Sequence, residues 1–194
     1  MIDWVKAQER LGVKADGIAG PVTYGALLSK VANHTVSVGA SFAKNIPDYQ
    51  VDGTPERLSA FIGQCCHESQ GFRFTREIWG PTAYQAKYDT RADLGNYKAG
   101  DGFKYRGAGW IEVTGRFWFD KIGHMLGMDL INHPELANDP NISTLISLAW
   151  WKLNSMNAIA DQGDDLAVTR KVNPGLLGLA DRVAFTDIAR GLLA

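Results

Sequence analysis

The segment DGTPERLSAFIGQCCHESQGF, residues 52–72, constrains the fold more than any other. Leu58, Phe61, Ile62 and Cys65 recur at i, i+3, i+4 and i+7, the spacing of one helical face. Thr54 is suited to the N-cap, Pro55 to the first helical position and Glu56 to the first turn, where a carboxylate complements the helix dipole. Gly71 is the natural stop. Trp4, Ala7 and Leu11 repeat the helical spacing in the first residues, and Gly20-Pro21 opens a second short helix carrying Leu27 and Leu28. Asp16-Gly17 makes the turn between those two helices. Helical patterns return near Phe117–Leu126, Ile142–Leu153, Asp165–Val172 and Ala180–Leu193. Residues 80–110 are rich in Gly, Tyr, Asp and Lys and read as a long loop, which in a compact domain usually serves a function. Ile111, Glu112 and Val113 read as a short strand. The chain is therefore mainly α, with one irregular, aromatic-rich cleft region.

Composition removes several classes. With 45% hydrophobic and 10% aromatic residues the chain is not disordered. A net charge of −1 gives no field for holding nucleic acid, so no nucleic-acid partner is expected. No apolar run approaches the roughly 20 residues that span a bilayer, and no membrane insertion is expected. MIDWVKAQERLGV is amphipathic and does not read as a signal peptide. Cys65 and Cys66 are neighbours; a bridge between them is strained, so they read as buried free thiols of a reducing compartment.

Glu68 is the most informative polar residue. It continues the apolar stripe at the helix end, three residues after Cys65, so it faces the interior or a cleft. An apolar setting disfavours the charged form, as a general acid at neutral pH requires. A helix-end carboxylate satisfied by a neighbouring donor is the plainer alternative. Glu77 follows nine residues later, beyond the Gly71 break, between Arg76 and Trp79. Two carboxylates on separate elements can face each other across a groove. Inverting glycoside hydrolysis uses that arrangement, with roughly 6.5–9.5 Å between an acid and a base that activates water. An arginine beside Glu77 would keep it ionised; an exposed loop glutamate is again the plainer alternative. His67-Glu68 begins an HExxH zinc pattern, but residue 71 is Gly, and His34, His67, His124 and His133 show no ligand spacing, so no metal is expected. There is no G-x-S-x-G elbow and no P-loop, and YRGAGW at 105–110 follows no strand of a dinucleotide-binding unit.

Four blocks taken together resemble glycoside hydrolase family 19, which contains plant-type chitinases and many bacteriophage endolysins. They are HESQGF around Glu68, REIWG around Glu77, FKYRGAGWIEVTGRFWF at 103–119 and TRKVNPGLLGLADR at 169–182. The similarity spans residues 37–194 and implies a lysozyme-like, two-lobed helical fold with a central groove. It implies Glu68 as general acid, Glu77 as general base and Thr114 as a holder of the attacking water. Asn173 and Arg182 match the C-terminal block and are implied to bind substrate or support the site; a helix-face ion pair is the alternative for Arg182. Trp79, Tyr84, Tyr105 and Trp110 are candidates for stacking on sugar rings. Glu112 stands where the family often has Gln, and Trp118 where it often has Asn, so the sugar contacts at these positions differ. No cofactor is implied.

The stretch AQERLGVKADGIAGPVTYGALL resembles the peptidoglycan-binding module with the signature LGV-x-x-DG-x-x-GP-x-T. It covers about half of such a module, so residues 1–36 are expected to be a partial unit, with Asp16, Gly17, Gly20, Pro21 and Thr23 as candidate wall contacts and 37–194 as the catalytic domain. The combined expectation is a monomeric phage-type endolysin that cuts β-1,4 bonds of bacterial peptidoglycan, made in the host cytoplasm and released with a holin. A chitinase of the same fold, a wall-binding protein without catalysis and a zinc amidase are the rivals.

Overall fold

The computed structural model describes residues 1–194. Ten α-helices are joined by turns and short 3-10 segments: α1 (Trp4–Leu11), α2 (Pro21–Ala32), α3 (Gly39–Asn45), α4 (Pro55–Glu68), α5 (Asp101–Lys104), α6 (Arg116–Leu126), α7 (Pro140–Leu153), α8 (Met156–Ala160), α9 (Asp165–Val172) and α10 (Leu179–Leu193). The mainly α expectation and the lysozyme-like helical fold hold. None of the helices is long and apolar enough to cross a membrane.

Helix α4 starts and stops as its sequence requires. The Thr54 hydroxyl accepts from the Arg57 N–H at 3.2 Å and Pro55 opens the first turn. At the other end Gly71 adopts φ 76°, and its N–H reaches the Cys66 carbonyl at 2.7 Å. Leu58, Phe61, Ile62 and Cys65 are all buried. The helix α4 lies against α10, and Gly63 sets how close they come. A Cβ at that position would overlap the Thr186 hydroxyl and stand 2.9 Å from the Thr186 backbone nitrogen.

Residues 1–36 pack into the same core as the rest. One cluster of buried side chains runs from Ile2 to Leu193. Aromatic rings carry it inward: Trp4 on Tyr24 at 5.7 Å, Tyr24 on Phe42 at 6.3 Å, Phe42 on Phe61 at 6.1 Å and Phe61 on Trp151 at 5.2 Å. The turn between α1 and α2 closes on the buried amide of Gln8. Its Nε2 donates to Asp16 Oδ1, the Ile18 carbonyl and Thr23 Oγ1 at 2.9–3.0 Å, and its Oε1 accepts from the Gly17 N–H at 2.8 Å. Three of the five candidate wall contacts thus hold the turn itself. Pro21 opens α2, with Gly20 as its N-cap residue.

Two local expectations change. Residues 111–113 do not form a strand. Gly109 (φ 72°) and Glu112 (φ 56°) are left-handed, which breaks the pleat and leaves a tight turn closed by paired Ala108–Val113 bonds at 2.8 and 3.0 Å. Residues 80–110 are less irregular than they read: they hold 3-10 turns at Gln85–Thr90 and Ala92–Leu94 as well as α5. The buried Asp101 secures this region, accepting from the Tyr97 and Lys98 N–H groups at 3.1 Å and pairing with Arg116 at 2.7 Å. Gly63→Ala should lower stability by about 1–3 kcal/mol, because the helices α4 and α10 must separate. A thermal melt should show this as a Tm drop of several degrees; an unchanged Tm would mean that the helix contact tolerates a side chain.

Candidate active site

An open groove of about 1020 Å³ crosses the surface. One wall is the end of α4 with the α9–α10 connection, including Glu68, Asn173 and Leu177. The other is built from residues 74–94 and the 111–118 segment, including Glu77, Tyr84, Glu112 and Thr114. The structure therefore brings both predicted carboxylates to one groove, from separate elements.

Glu68 is the last residue of α4 and does not sit in an apolar pocket. Arg182, only 1% exposed, donates from Nη2 to Glu68 Oε1 at 2.5 Å. The same guanidinium donates to Gln64 Oε1 at 2.7 Å and to the Leu177 carbonyl at 3.0 Å. The Gln64 amide continues to Thr169 Oγ1 on α9 at 3.0 Å. The expectation of desolvation alone is thus corrected: a stripe residue at a helix end met a buried cation on the neighbouring helix. Glu68 Oε2 accepts no hydrogen bond within the protein, so the two oxygens are inequivalent. Arg182 is bonded to three acceptors, and its ion pair with Glu68 is part-buried between helices α4 and α10.

Glu77 is held differently. Its segment pairs with the 107–109 turn through Glu77 N to Gly107 O at 2.9 Å and Gly109 N to Thr75 O at 3.0 Å. Gln85 Nε2 donates to Glu77 Oε1 at 2.8 Å, with Tyr88 Oη at 3.4 Å, and the Gly107 N–H donates to Oε2 at 3.1 Å. Arg76 makes no hydrogen bond to Glu77, although the two charges attract each other. The Arg76 guanidinium is buried and bonds the carbonyls of Gly107, Pro134 and Lys104 at 2.6–3.2 Å. In an extended segment neighbouring side chains point to opposite sides, so Arg76 and Glu77 diverge.

A third carboxyl group enters the groove. Glu112 is partly buried, and its left-handed backbone is uncommon for a non-glycine residue. A Cβ at Gly107 would overlap Glu112 Oε2 and stand 3.0 Å from the Glu77 Cβ. Glycine at that point lets the two carboxyl groups share one corner. Burial, then the charges of Glu77 and Glu68, push the Glu112 carboxyl up to about 8. Thr114 lines the groove and donates its hydroxyl proton to the Glu112 carbonyl at 2.9 Å.

The aromatic expectations divide. Tyr84 is 62% exposed and lines the groove. Trp79 is half-buried against Tyr88 and Phe103 and is not among the groove's lining residues. Tyr105 and Trp110 are core residues, 0% and 1% exposed, so neither can stack on a sugar. Their polar ends are satisfied inside, Tyr105 Oη by the Ile131 carbonyl at 3.1 Å and Trp110 Nε1 by Thr144 Oγ1 at 2.9 Å. Trp118 and Trp150 line the groove in their place, with ring centroids 6.0 Å apart. Gln85 and Tyr88, which sequence reasoning missed, lie eight and eleven residues beyond Glu77 in the region read as loop. Asn173 reaches the groove while its Oδ1 accepts from the Gly175 N–H at 3.0 Å. Cys65 and Cys66 are free and buried; burial pushes the Cys66 thiol up to about 12, so it offers no thiolate at neutral pH.

The chain is 30% identical over 149 residues to a glycosyl hydrolase family 19 domain-containing protein of Haemophilus influenzae, covering 63% of this chain and 72% of that protein. It is 26% identical over 168 residues to an endochitinase of Arabidopsis thaliana, covering 82% of this chain but only 56% of the plant protein. The chain thus spans little more than half of that relative. The crystal structure of chitinase C from Streptomyces griseus shares the fold, with a TM-score of 0.69 at 20% identity over 90% of this chain and 93% of that one. The glycoside hydrolase family 19 pattern, chitinase class I, matches residues 21–172. That match starts at Pro21, inside the first 36 residues, and takes in Glu68, Glu77, Glu112 and Thr114, while Asn173, Leu177 and Arg182 lie beyond it; the chain belongs to glycoside hydrolase family 19.

Proposed function

We propose that this protein hydrolyses β-1,4-linked glycans with inversion, and that its substrate is bacterial peptidoglycan, as for a phage-type endolysin. The carrying observation is one groove with two carboxyl groups from separate elements, one fixed by a buried cation and the other by neutral donors. Glu68 is the general acid. Arg182 occupies Oε1, so Oε2 is the oxygen free to carry a proton to the glycosidic oxygen. Glu77 is the general base, its carboxylate steadied by Gln85, Tyr88 and the Gly107 N–H while it takes a proton from water. Thr114 presents its hydroxyl oxygen to that water, since its proton is engaged by the Glu112 carbonyl. Tyr84 and Trp118 offer ring faces to the sugars.

Peptidoglycan is preferred to chitin on the N-terminal signature, whose turn survives intact around Gln8. Several relatives are endochitinases, which favours a second reading, a chitinase. Clearing of permeabilised bacterial cells, set against sugar release from chitin, separates the two. Mass spectrometry of digested wall names the bond by its reducing-end sugar. Digestion of chitin alone would overturn the peptidoglycan assignment.

Glu68→Gln should lower hydrolysis about 10²–10⁴-fold while the protein stays folded, because an amide still accepts from Arg182 but donates no acidic proton. Activity near wild type would refute the assignment of the acid. Glu77→Gln should be impaired to a similar degree at unchanged Tm. Retention of most activity would move water activation to another group.

A further inference from the structure

Of two carboxyl groups sharing a corner, the one that receives donors keeps the charge. Glu77 receives three, from Gln85, Tyr88 and the Gly107 N–H. Glu112 receives none, although its Oε2 lies against that same Gly107. The nearby cations are committed elsewhere. Arg76 bonds the carbonyls of Gly107, Pro134 and Lys104, and Arg106 bonds those of Glu77 and Phe103. The remaining acidic side chain facing Glu112 is Glu68, which gives it no hydrogen bond and whose Oε1 is taken by Arg182. A second negative charge in this corner would compete with Glu77 for the proton of the water.

We propose that Glu112 is a positioning residue that works as the uncharged acid, leaving the negative charge of this corner to Glu77 alone. The inference rests on Glu77 being the base of a glycoside hydrolase. It predicts that the groove loses function when Glu112 ionises, because a second carboxylate beside Glu77 then draws the water and its protons away from the arrangement set by Gln85, Tyr88 and Thr114. The uncharged acid leaves the water site beside Thr114 with one carboxylate acceptor, Glu77. Burial and its two glutamate neighbours place that ionisation near pH 8, above the range of an ordinary carboxyl group.

The linkage to stability has a definite sign. A carboxyl group whose folded value is raised binds more protons in the folded than in the unfolded chain between its ordinary value and pH 8. The folded state therefore loses stability progressively as pH rises through that window. Glutamine has the same shape and no charge, so Glu112→Gln removes both effects.

The test compares wild type with E112Q across pH, using peptidoglycan hydrolysis and thermal melts side by side. Wild-type kcat/KM should fall on an alkaline limb near pH 8, and in E112Q that limb should move up by at least one pH unit. The Tm advantage of E112Q over wild type should grow from pH 5 to pH 8. The melts need no activity, so they hold even if the substrate assignment is wrong. An unchanged alkaline limb would overturn the proposal, as would a pH-independent Tm difference. A loss of a hundredfold or more at pH 6 would also overturn it, since Glu112 would then transfer protons itself.

Discussion

Arg182 carries its charge inside the protein, and a buried cation is tolerated only where acceptors surround it. Here the acceptors are Glu68 and Gln64 on α4 and the Leu177 carbonyl just before α10. Gln64 passes the connection to Thr169 on α9. One guanidinium thereby fixes three helices and one wall of the groove. Stripping a partner from such a buried pair typically costs about 3–5 kcal/mol, because the remaining charge is left uncompensated. The helix contact that permits this arrangement depends in turn on Gly63, where α4 and α10 approach closely. The placement of the proposed acid is thus a property of the core, not of a surface loop.

The opposite wall obeys another logic. Glu77 stands on an extended segment placed by backbone pairing between residues 75–77 and 107–109, and Glu112 on the turn closed by the Ala108–Val113 bonds. Neutral donors steady Glu77, while the arginines nearest to it are bonded to carbonyl oxygens. A charge so held keeps a free oxygen lone pair for chemistry, whereas a bidentate arginine would occupy both oxygens. Glu68 and Glu77 therefore differ in partner and element, as the proposed roles of acid and base require.

The long helices were legible because their periodicity and caps agree. Thr54, Pro55 and Gly71 mark α4, and Asp165–Val172 coincides with α9. The two groove glutamates were visible as candidates, since one ends an apolar stripe and the other follows a break. What surrounds them was not. Arg182 lies 114 residues from Glu68 along the chain, and no local pattern reports such a pairing. Tyr105 and Trp110 read as sugar platforms because they are aromatic and lie near glycines. Burial depends on partners such as Thr144 and Ser147 of α7, which bond Trp110 from far along the chain. Glu112 read as strand because its neighbours Ile111 and Val113 favour extended backbone. Its left-handed conformation is imposed by the closure of the 108–113 turn, a tertiary effect that propensity does not carry.

The ring-to-ring succession from Trp4 through Tyr24 and Phe42 to Phe61 makes the first 36 residues a wedge in the body of the molecule. Any exchange of these residues for another module must respect that wedge. A replacement lacking an aromatic in place of Tyr24 would open a hole beside Phe42 and expose greasy surface behind α4. The first 36 residues are thus not a detachable appendage: their removal would uncover Phe42 and the apolar side chains packed around it.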